Sequence, residues 1–426
     1  MSTLPWRILV VTDLGTDSRE PAPVTPDTLG AWFPSLPLAV QPADLAPAAQ
    51  VAKGVTGAAL DAFLHDPARQ RIEAAHRGLA LLLAHAAGAV RVEALSVPRA
   101  ALVERFREAV HGPELTAAEP VSLVVLDYDF SHKAADLAAL GQLAAMAADL
   151  QAPIVANAGA GMFDLRFLVQ LAGQKGLASR LGDTAHAGLA ALQKQEEARW
   201  LCLTLNRFLL REPHQLGDWR EACADSNPDS YLWGRGGWLV AAAVARSVAA
   251  HGHAFDLSGT GGRFDGLATR EFPVSANEKK ALATEVSLPD MEALELTHAA
   301  FTTLTGGLGM PSVMMSLVAT VHRYGPAKLT VEGTLAYQLT AARLSLACGT
   351  VAGALDASGA DAAVAAALHA ALVPHLGGLV GEGGSGLAVE VLPADGEQPR
   401  RASVTVAPAE QLEGKSPKFH VEFALA

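Results

Sequence analysis

The sequence predicts an α/β fold with mixed, partly parallel sheets flanked by helices, and three observations carry that prediction. SLVVLDYDF from Ser122 is an almost unbroken apolar run, the pattern of a strand buried on both faces. A helix-period stretch, Ala134–Leu150, and a second short apolar run at Ile154–Asn157 follow it, which makes a strand–helix–strand crossover of the parallel kind. Half of the side chains are hydrophobic while only 5% are aromatic, a composition of Ala-rich helices packed closely on a sheet.

Taken in order, Ile8–Thr12 is a short apolar run stopped by Asp13 and Gly15, hence a strand, and Pro21, Pro23 and Pro26 mark the loop behind it. Thr25 or Asp27 can cap a short helix containing Leu29, Trp32 and Phe33, and Leu36–Val40 reads as another strand. Residues 1–45 thus form a small unit, joined by the Ala-, Pro- and Gly-bearing stretch Pro42–Gly57 to a first α/β part, 59–190, and a second, 191–426. Leu60, Phe63 and Leu64 precede an Asp66–Pro67 turn, and Ile72, His76, Leu79 and Leu83 recur at helical spacing after it. Val90–Val97 is a strand and Arg99–Val110 a helix. Lys194–Trp200 is helical, and Leu201–Leu205 is a strand. Gly234, Gly236 and Gly237 open a long Ala-rich helix to Ala250. Ala254–Leu257 is a strand entering the glycine-rich loop Ser258–Gly266. Helices follow around Asp290–Thr303, Leu335–Ala352 and Ala362–Val373, the last with Asp361 available as a cap. Leu387–Val391 and Ala402–Val406 are strands around a polar loop at Pro393–Arg400, and Lys418–Leu425 alternates apolar and polar residues, so it needs a sheet edge of its own or of a neighbour.

A length of 426 residues supports a large core, and the net charge of −12 without a basic run argues against nucleic acid. Cys202, Cys223 and Cys348 are too few and too far apart for a disulfide framework or a CxxC metal site, and they read as buried thiols in a reducing cytoplasm. The opening MSTLPWRILVVTDLG has neither the basic region nor the cleavage site of a secretory signal. The longest apolar run, Leu79–Val90, falls short of the roughly 20 residues that cross a bilayer. The expected location is the cytoplasm, with no membrane insertion.

Candidate chemistry is sparse. SGTGGRFDG from Ser258 offers glycines that would let backbone N–H groups approach an anion, but Arg263 and Phe264 stand where a P-loop needs Lys then Ser or Thr, and the GxGxxG spacing is absent. His251 and His253, or His65, His76 and His85, raise zinc, yet no further ligand lies at metal spacing. His132 follows a strand as a general base could, and its simplest role is to satisfy a loop carbonyl. Asp127 with Asp129, and Glu196 with Glu197, read as caps and solvated charge. No catalytic residue, cofactor or metal is expected.

The order of segments says more. ALDAFLHDPARQRIEAAHRGLALLL from Ala59 resembles the entry helix of the large sheath subunit of bacterial type VI secretion systems (TssC/VipB), with His76 in place of the usual Trp in its WRGL box. VVLDYDFSH from Val124 is similar to that family's GDYEFSH element and APIVANAGAGMF from Ala152 to its APFIAAASPxMF turn. ARWLCLTLNRFLLREPH from Ala198 resembles LPRFLLRxPY, with Asn206 for Pro. YLWGRGGWLV from Tyr231 resembles the YLWGNAAYAxA helix, ATEVSLPDMEALELTHAAFTTL from Ala283 the PTEVxISDRxExELxxxGFxPL segment, and TAARLSLA from Thr340 the late helix. The likeness covers about 59–426 in the family's order, and RILVVTDLG from Arg7 resembles the opening of the small sheath subunit (TssB/VipA-like), as in a fusion with a truncated small subunit.

The resemblance implies a contractile-sheath subunit fold with exchanged terminal strands, polymerising into a helical tube around an inner tube of hexameric rings and contracting from a baseplate to expel it. Its partners are then further copies of itself, the inner tube and the baseplate, and the need for a separate small subunit is left open. Ile8, Leu9, Val10, Val11, Phe419, Val421 and Phe423 are the expected assembly residues. The arm before the HP helix and the small subunit's helical half are nearly absent, which puts recognition by an AAA+ disassembly ATPase in doubt. The alternatives are a non-polymerising paralogue acting as cap or baseplate adaptor, and an α/β nucleotide-binding enzyme using the Ser258–Gly266 loop.

Overall fold

In the computed structural model, the described residues are 4–32, 57–171, 174, 176–177, 181, 183–216, 218–275, 277–323, 330–394 and 399–425. The expected strand Leu36–Val40, most of the Pro42–Gly57 connector and Phe33 lie outside them. A nine-stranded sheet forms the centre, in the order β11-β15-β14-β6-β5-β4-β1-β3-β2. Its strands are β1 (Trp6–Thr12), β2 (Ala22–Pro23), β3 (Val90–Ser96), β4 (Leu123–Phe130), β5 (Ile154–Ala158), β6 (Leu201–Leu205), β11 (Arg263–Asp265), β14 (Phe301–Gly306) and β15 (Ser312–Met315). The run from β3 through β1, β4, β5 and β6 to β14 is parallel, whereas β15 and β11 at one edge and β2 at the other are antiparallel.

The near-continuous apolar strands arise because both faces of this sheet are covered. Ile8 and Val10 face one core, shared with Leu79, Leu82 and the Ala-rich segment Leu239–Val248; Leu9 and Val11 face the other, shared with Leu137, Leu140, Ala144 and Ala147. The first side is roofed by α3 (Pro67–Ala86) and α5 (Gly236–His251), the second by α4 (Ala134–Leu150). Two shorter helices, α1 (Pro26–Trp32) and α2 (Gly57–Leu64), precede them. Asp66 caps α3 by accepting from the Arg69 N–H at 2.9 Å, and Thr25 accepts from the Thr28 N–H at 3.1 Å at the start of α1.

Close approach of α3 and α5 depends on Gly78. A Cβ there would stand 2.3 Å from Trp238 Cε2, and Trp238 is fully buried and held by its indole N–H to Asp127 Oδ1 at 3.1 Å. The indole cannot retreat without losing that bond. Gly78→Ala is expected to destabilise the chain by roughly 1–3 kcal/mol, read as a lowered urea midpoint at unchanged slope.

Past the sheet come α6 (Asp290–His298), α7 (Leu335–Ala352), α8 (Asp361–Leu376) and a separate antiparallel sheet β16 (Leu387–Leu392), β17 (Arg401–Val406) and β18 (Phe419–Ala424) in that order. Four short strands make two ribbons, β7 (Arg207–Leu209) with β10 (Trp233–Arg235) and β8 (Gln215–Leu216) with β9 (Trp219–Arg220), and β12 (Arg270–Ser275) with β13 (Glu278–Leu282) is a projecting hairpin.

Several expected elements differ. Ala254–Leu257 is irregular, because its N–H groups go to side chains: Phe255 donates to Ser247 Oγ and Leu257 to Glu413 Oε1. The helix at Asp290 stops at His298, where Ala300 takes a left-handed φ of 70° and the Thr-rich run Phe301–Gly306 turns to strand. Lys194–Trp200 supplies only a 3₁₀ turn from Glu196. Asp361 is the first residue of α8, not its cap, and its carboxylate receives Arg400. The stretch Asp361–Val380 is, by length and composition, apolar enough to cross a bilayer, unlike any run singled out in the sequence. In the fold α8 lays Val364, Leu368 and Leu372 against the core and turns alanines outward.

Candidate functional site

The ends of the sheets are where one chain can join another, because an end strand carries a row of unpaired backbone groups. The central sheet closes both of its ends to such use. β2 has two residues, one of them Pro23, and β11 has three, with Arg263 and Asp265 paired at 2.8 Å. The small C-terminal sheet differs. Among the described residues its two end strands are β16 and β18, each six residues long and bonded along its whole length to β17 on one side.

Against this frame the expected assembly residues divide. Ile8, Leu9, Val10 and Val11 are not at an edge: β1 is in register with β3 over seven residues and with β4 over four, so both its edges are bonded within the chain. Their side chains are at most 1% exposed within the chain, and the backbone on both sides of β1 is bonded to β3 and β4 of the same chain. Phe419, Val421 and Phe423 lie on β18, but their side chains turn inward to the chain's own core, where Phe419 packs on Tyr337 of α7 at a ring separation of 4.6 Å. What β18 offers outward is backbone.

A second constellation surrounds a polar cleft of about 750 Å³, lined among others by Glu221, Arg220, Arg270, Lys279 and Tyr231. Under it, Arg211 donates from Nε to Glu73 Oε1 at 3.0 Å and grips both oxygens of Glu221 at 2.6 and 3.0 Å. Glu73 also accepts from Arg77 on the next turn of α3 at 2.9 Å. Burial would raise the Glu73 and Glu221 carboxyls, but the guanidinium of Arg211 outweighs it and holds both below the usual range. The network ties α3 to the loop after β7. Sequence reading passed over it; the one signal was Arg211 standing at the end of the apolar NRFLLR run, with one partner, Glu73, 138 positions away and the other, Glu221, ten positions on.

Asp127 and Asp129 prove structural too, though not as solvated charge. They bracket Arg235 at 3.2 and 2.9 Å, and Asp127 also accepts from Thr12 and Trp238. Burial works against the Asp129 carboxylate, and Arg235 nevertheless holds its pKa down. In the Ser258–Gly266 loop several donors a phosphate would use are taken: the N–H groups of Gly259, Gly262 and Arg263 go to Met315 O, Ser258 O and Thr260 O, and the Ser258 hydroxyl goes to Glu413. Its glycines serve close packing, since a Cβ on Gly261 would lie 2.3 Å from the Asp256 carbonyl.

The histidines fall apart as a group except in two places. His253 is buried against Thr340, and His251 pairs with Glu410 at the surface. His65 approaches Glu221 and Cys223, but there Glu221 is already committed to Arg211, and burial keeps the Cys223 thiol up at about 12. His132 does reach a loop carbonyl, Ala185 O, at 3.2 Å, and it also meets Asp164 and His186.

Comparison with known proteins adds the family. The model of the EvpB/VC_A0108 tail sheath N-terminal domain (VipB) matches residues 49–322, more than half of the chain. The type VI secretion system sheath protein TssC1 of Pseudomonas aeruginosa is 25% identical over 193 residues, which is 43% of this chain and 39% of that protein, so the chain spans well under half the length of that relative. Among solved structures, the anti-feeding prophage baseplate contains a chain that covers 100% of this one and is covered to 91%, at 11% identity and a TM-score of 0.42.

Proposed function

The chain belongs to the tail sheath N-terminal domain family, and on that premise we propose that it is a structural subunit of a contractile sheath, working in the cytoplasm, that polymerises into a helical tube around an inner tube and drives it out on contraction. The observation that carries the reading is the contrast between edges: the nine-stranded sheet is blunted at both ends, and β18 has a six-residue edge without a strand partner among the described residues. A strand added there would join copies head to tail through main-chain bonds, the heterologous contact that an open helical array requires. Contraction is then a rigid-body change between two packings of unchanged subunits. The working partners are further copies, an inner tube of hexameric rings and a baseplate, without a catalytic role.

The N-terminal unit fits the fusion reading. β1 lies before residue 49, where the family match begins, and yet it occupies the middle of the sheet, so this chain carries in one piece a strand that the matched segment lacks. The alternative, a non-polymerising cap or baseplate adaptor, predicts no open tube from the same chain.

Backbone alternation gives a test that spares the fold. The Leu425 N–H donates to Arg400 O at 2.8 Å, so in the antiparallel ladder Phe423, Val421 and Phe419 bond to β17 while Glu422 presents its N–H outward. Proline is tolerated at such a position. Glu422→Pro is expected to keep the wild-type urea midpoint and lose tubes in negative-stain electron microscopy; tubes of normal length from a folded variant would sink the open-edge reading, and closed rings from the wild type would favour the cap.

A further inference from the structure

We propose that His132, Asp164 and His186 form a binding site for a divalent transition metal, zinc being the best match, at the carboxyl ends of β4 and β5. Their ligand atoms all lie within 4.8 Å of one another. His132 sits two residues beyond β4, Asp164 follows the 3₁₀ turn after β5, and His186 ends the turn Thr184–His186. In open parallel sheets this end of the strands is where loops converge and ligands bind.

The hydrogen bonds of the two imidazoles set their chemistry. His132 uses Nδ1 on the Ala185 carbonyl at 3.2 Å, and a carbonyl can only accept, so that nitrogen donates and Nε2 is the one a metal could take. Nε2 faces Asp164 Oδ1 at 2.7 Å, where a proton bridges the two in the metal-free chain and a metal ion would take its place. His186 uses Nε2 on the Met162 carbonyl at 3.0 Å, which leaves Nδ1 with the lone pair; that atom is buried, without a hydrogen-bond partner, in a residue only 6% exposed. Each ring is thus held by a backbone carbonyl behind it with its other nitrogen toward the cluster, the outer-shell arrangement of metal-ligating histidines. The rings are 4.7 Å apart and tilted at 40° to one another.

An ion would relieve a feature that the protein alone leaves unresolved, the buried and unpartnered Nδ1 of His186. Around a tetrahedral zinc the three donors would stand about 3.3 Å from each other. The Asp164–His132 pair would therefore open by about 0.6 Å, and His186 would close from a separation of at most 4.8 Å. Asp164 is on the surface, with 58% of its side chain exposed, so the fourth position faces water. Two imidazoles and one carboxylate with no sulfur select zinc, cobalt or nickel over calcium or magnesium. The site would tie the Gly159–Asp164 and Thr184–His186 segments to the end of β4. It stands independently of the sheath reading.

The test uses the full chain stripped with a chelator and titrated with Co²⁺. One equivalent is expected to bind with the visible d–d absorption of a four- or five-coordinate site, to be displaced by Zn²⁺, and to raise Tm. Asp164→Asn and His132→Ala are each expected to weaken binding on the order of 100-fold while the metal-free Tm of Asp164→Asn stays at the wild-type value. Unchanged affinity in both variants would overturn the proposal. So would the absence of binding, or an intense near-ultraviolet thiolate band that Cys223→Ser removes, which would put the ion on His65, Glu221 and Cys223.

Discussion

Arg211→Leu is expected to cost about 3–5 kcal/mol of folding free energy, the largest effect of any single change considered. The size follows from what it abandons. Glu221 has a fully buried carboxylate whose two oxygens both rest on Arg211, and Glu73, 2% exposed at its side chain, would keep only Arg77. Removing one partner of a buried pair leaves an uncompensated charge, which is far dearer than deleting the whole set. Chemical denaturation at pH 7 checks the loss, and a triple variant with Glu73, Arg211 and Glu221 all replaced by apolar residues of similar volume should recover most of it. A loss below about 1 kcal/mol for Arg211→Leu would mean that solvent reaches the cluster and screens it.

Mild acid is expected to unfold the chain well before its carboxylates titrate, and two histidines set the window. Burial, with Arg343 nearby, lowers the His253 pKa to about 3; burial and Arg211 lower that of His214 to about 4. The structural reason is plain for His253. The Thr340 hydroxyl spends its proton on Ala336 O, so His253 must donate from Nε2, and its Nδ1 is buried with no acceptor for a second proton. Both folded values lie below the unfolded value near 6.5, so between those limits the unfolded chain binds more protons and stability falls as pH falls. The contribution is complete above pH 6.5. At pH 4.5 on the order of a few kcal/mol has gone from the two residues together. The lowered carboxyls of Glu73 and Glu221 add to the loss only below that. Urea midpoints measured from pH 7.5 to 4.5 should drop steeply in the wild type and less so in His253→Leu; a flat profile would show that these rings are hydrated in solution.

Where the sequence was read correctly, local rules sufficed. β4, α4, β6 and α7 were legible from apolar runs and helical periodicity to within two residues, because each is buried along one continuous stripe or on both faces. The misread segments are those where a distant group overrode the local pattern. Ala254–Leu257 has the composition of a strand, but Ser247 and Glu413 take its N–H groups. Ile8–Val11 was rightly a strand and wrongly an edge, since nothing within those residues tells that β3 and β4, some 80 and 115 positions on, will flank it. The metal-ligand geometry was invisible for the same reason: His132, Asp164 and His186 share no spacing, and only the turns after β4 and β5 bring them together.

The midline position of β1 also bears on how the molecule comes into being. Each of its bonds spans a separation that imposes a large closure entropy, so the sheet cannot be completed early and folding should be slow and strongly cooperative. Until β3 and β4 arrive, this apolar ribbon has two naked sides, and the same segments of another nascent copy would suit it equally well. Crowding at that stage would give entangled pairs held by native bonds, which makes dilute, unhurried synthesis the condition under which the chain is best obtained.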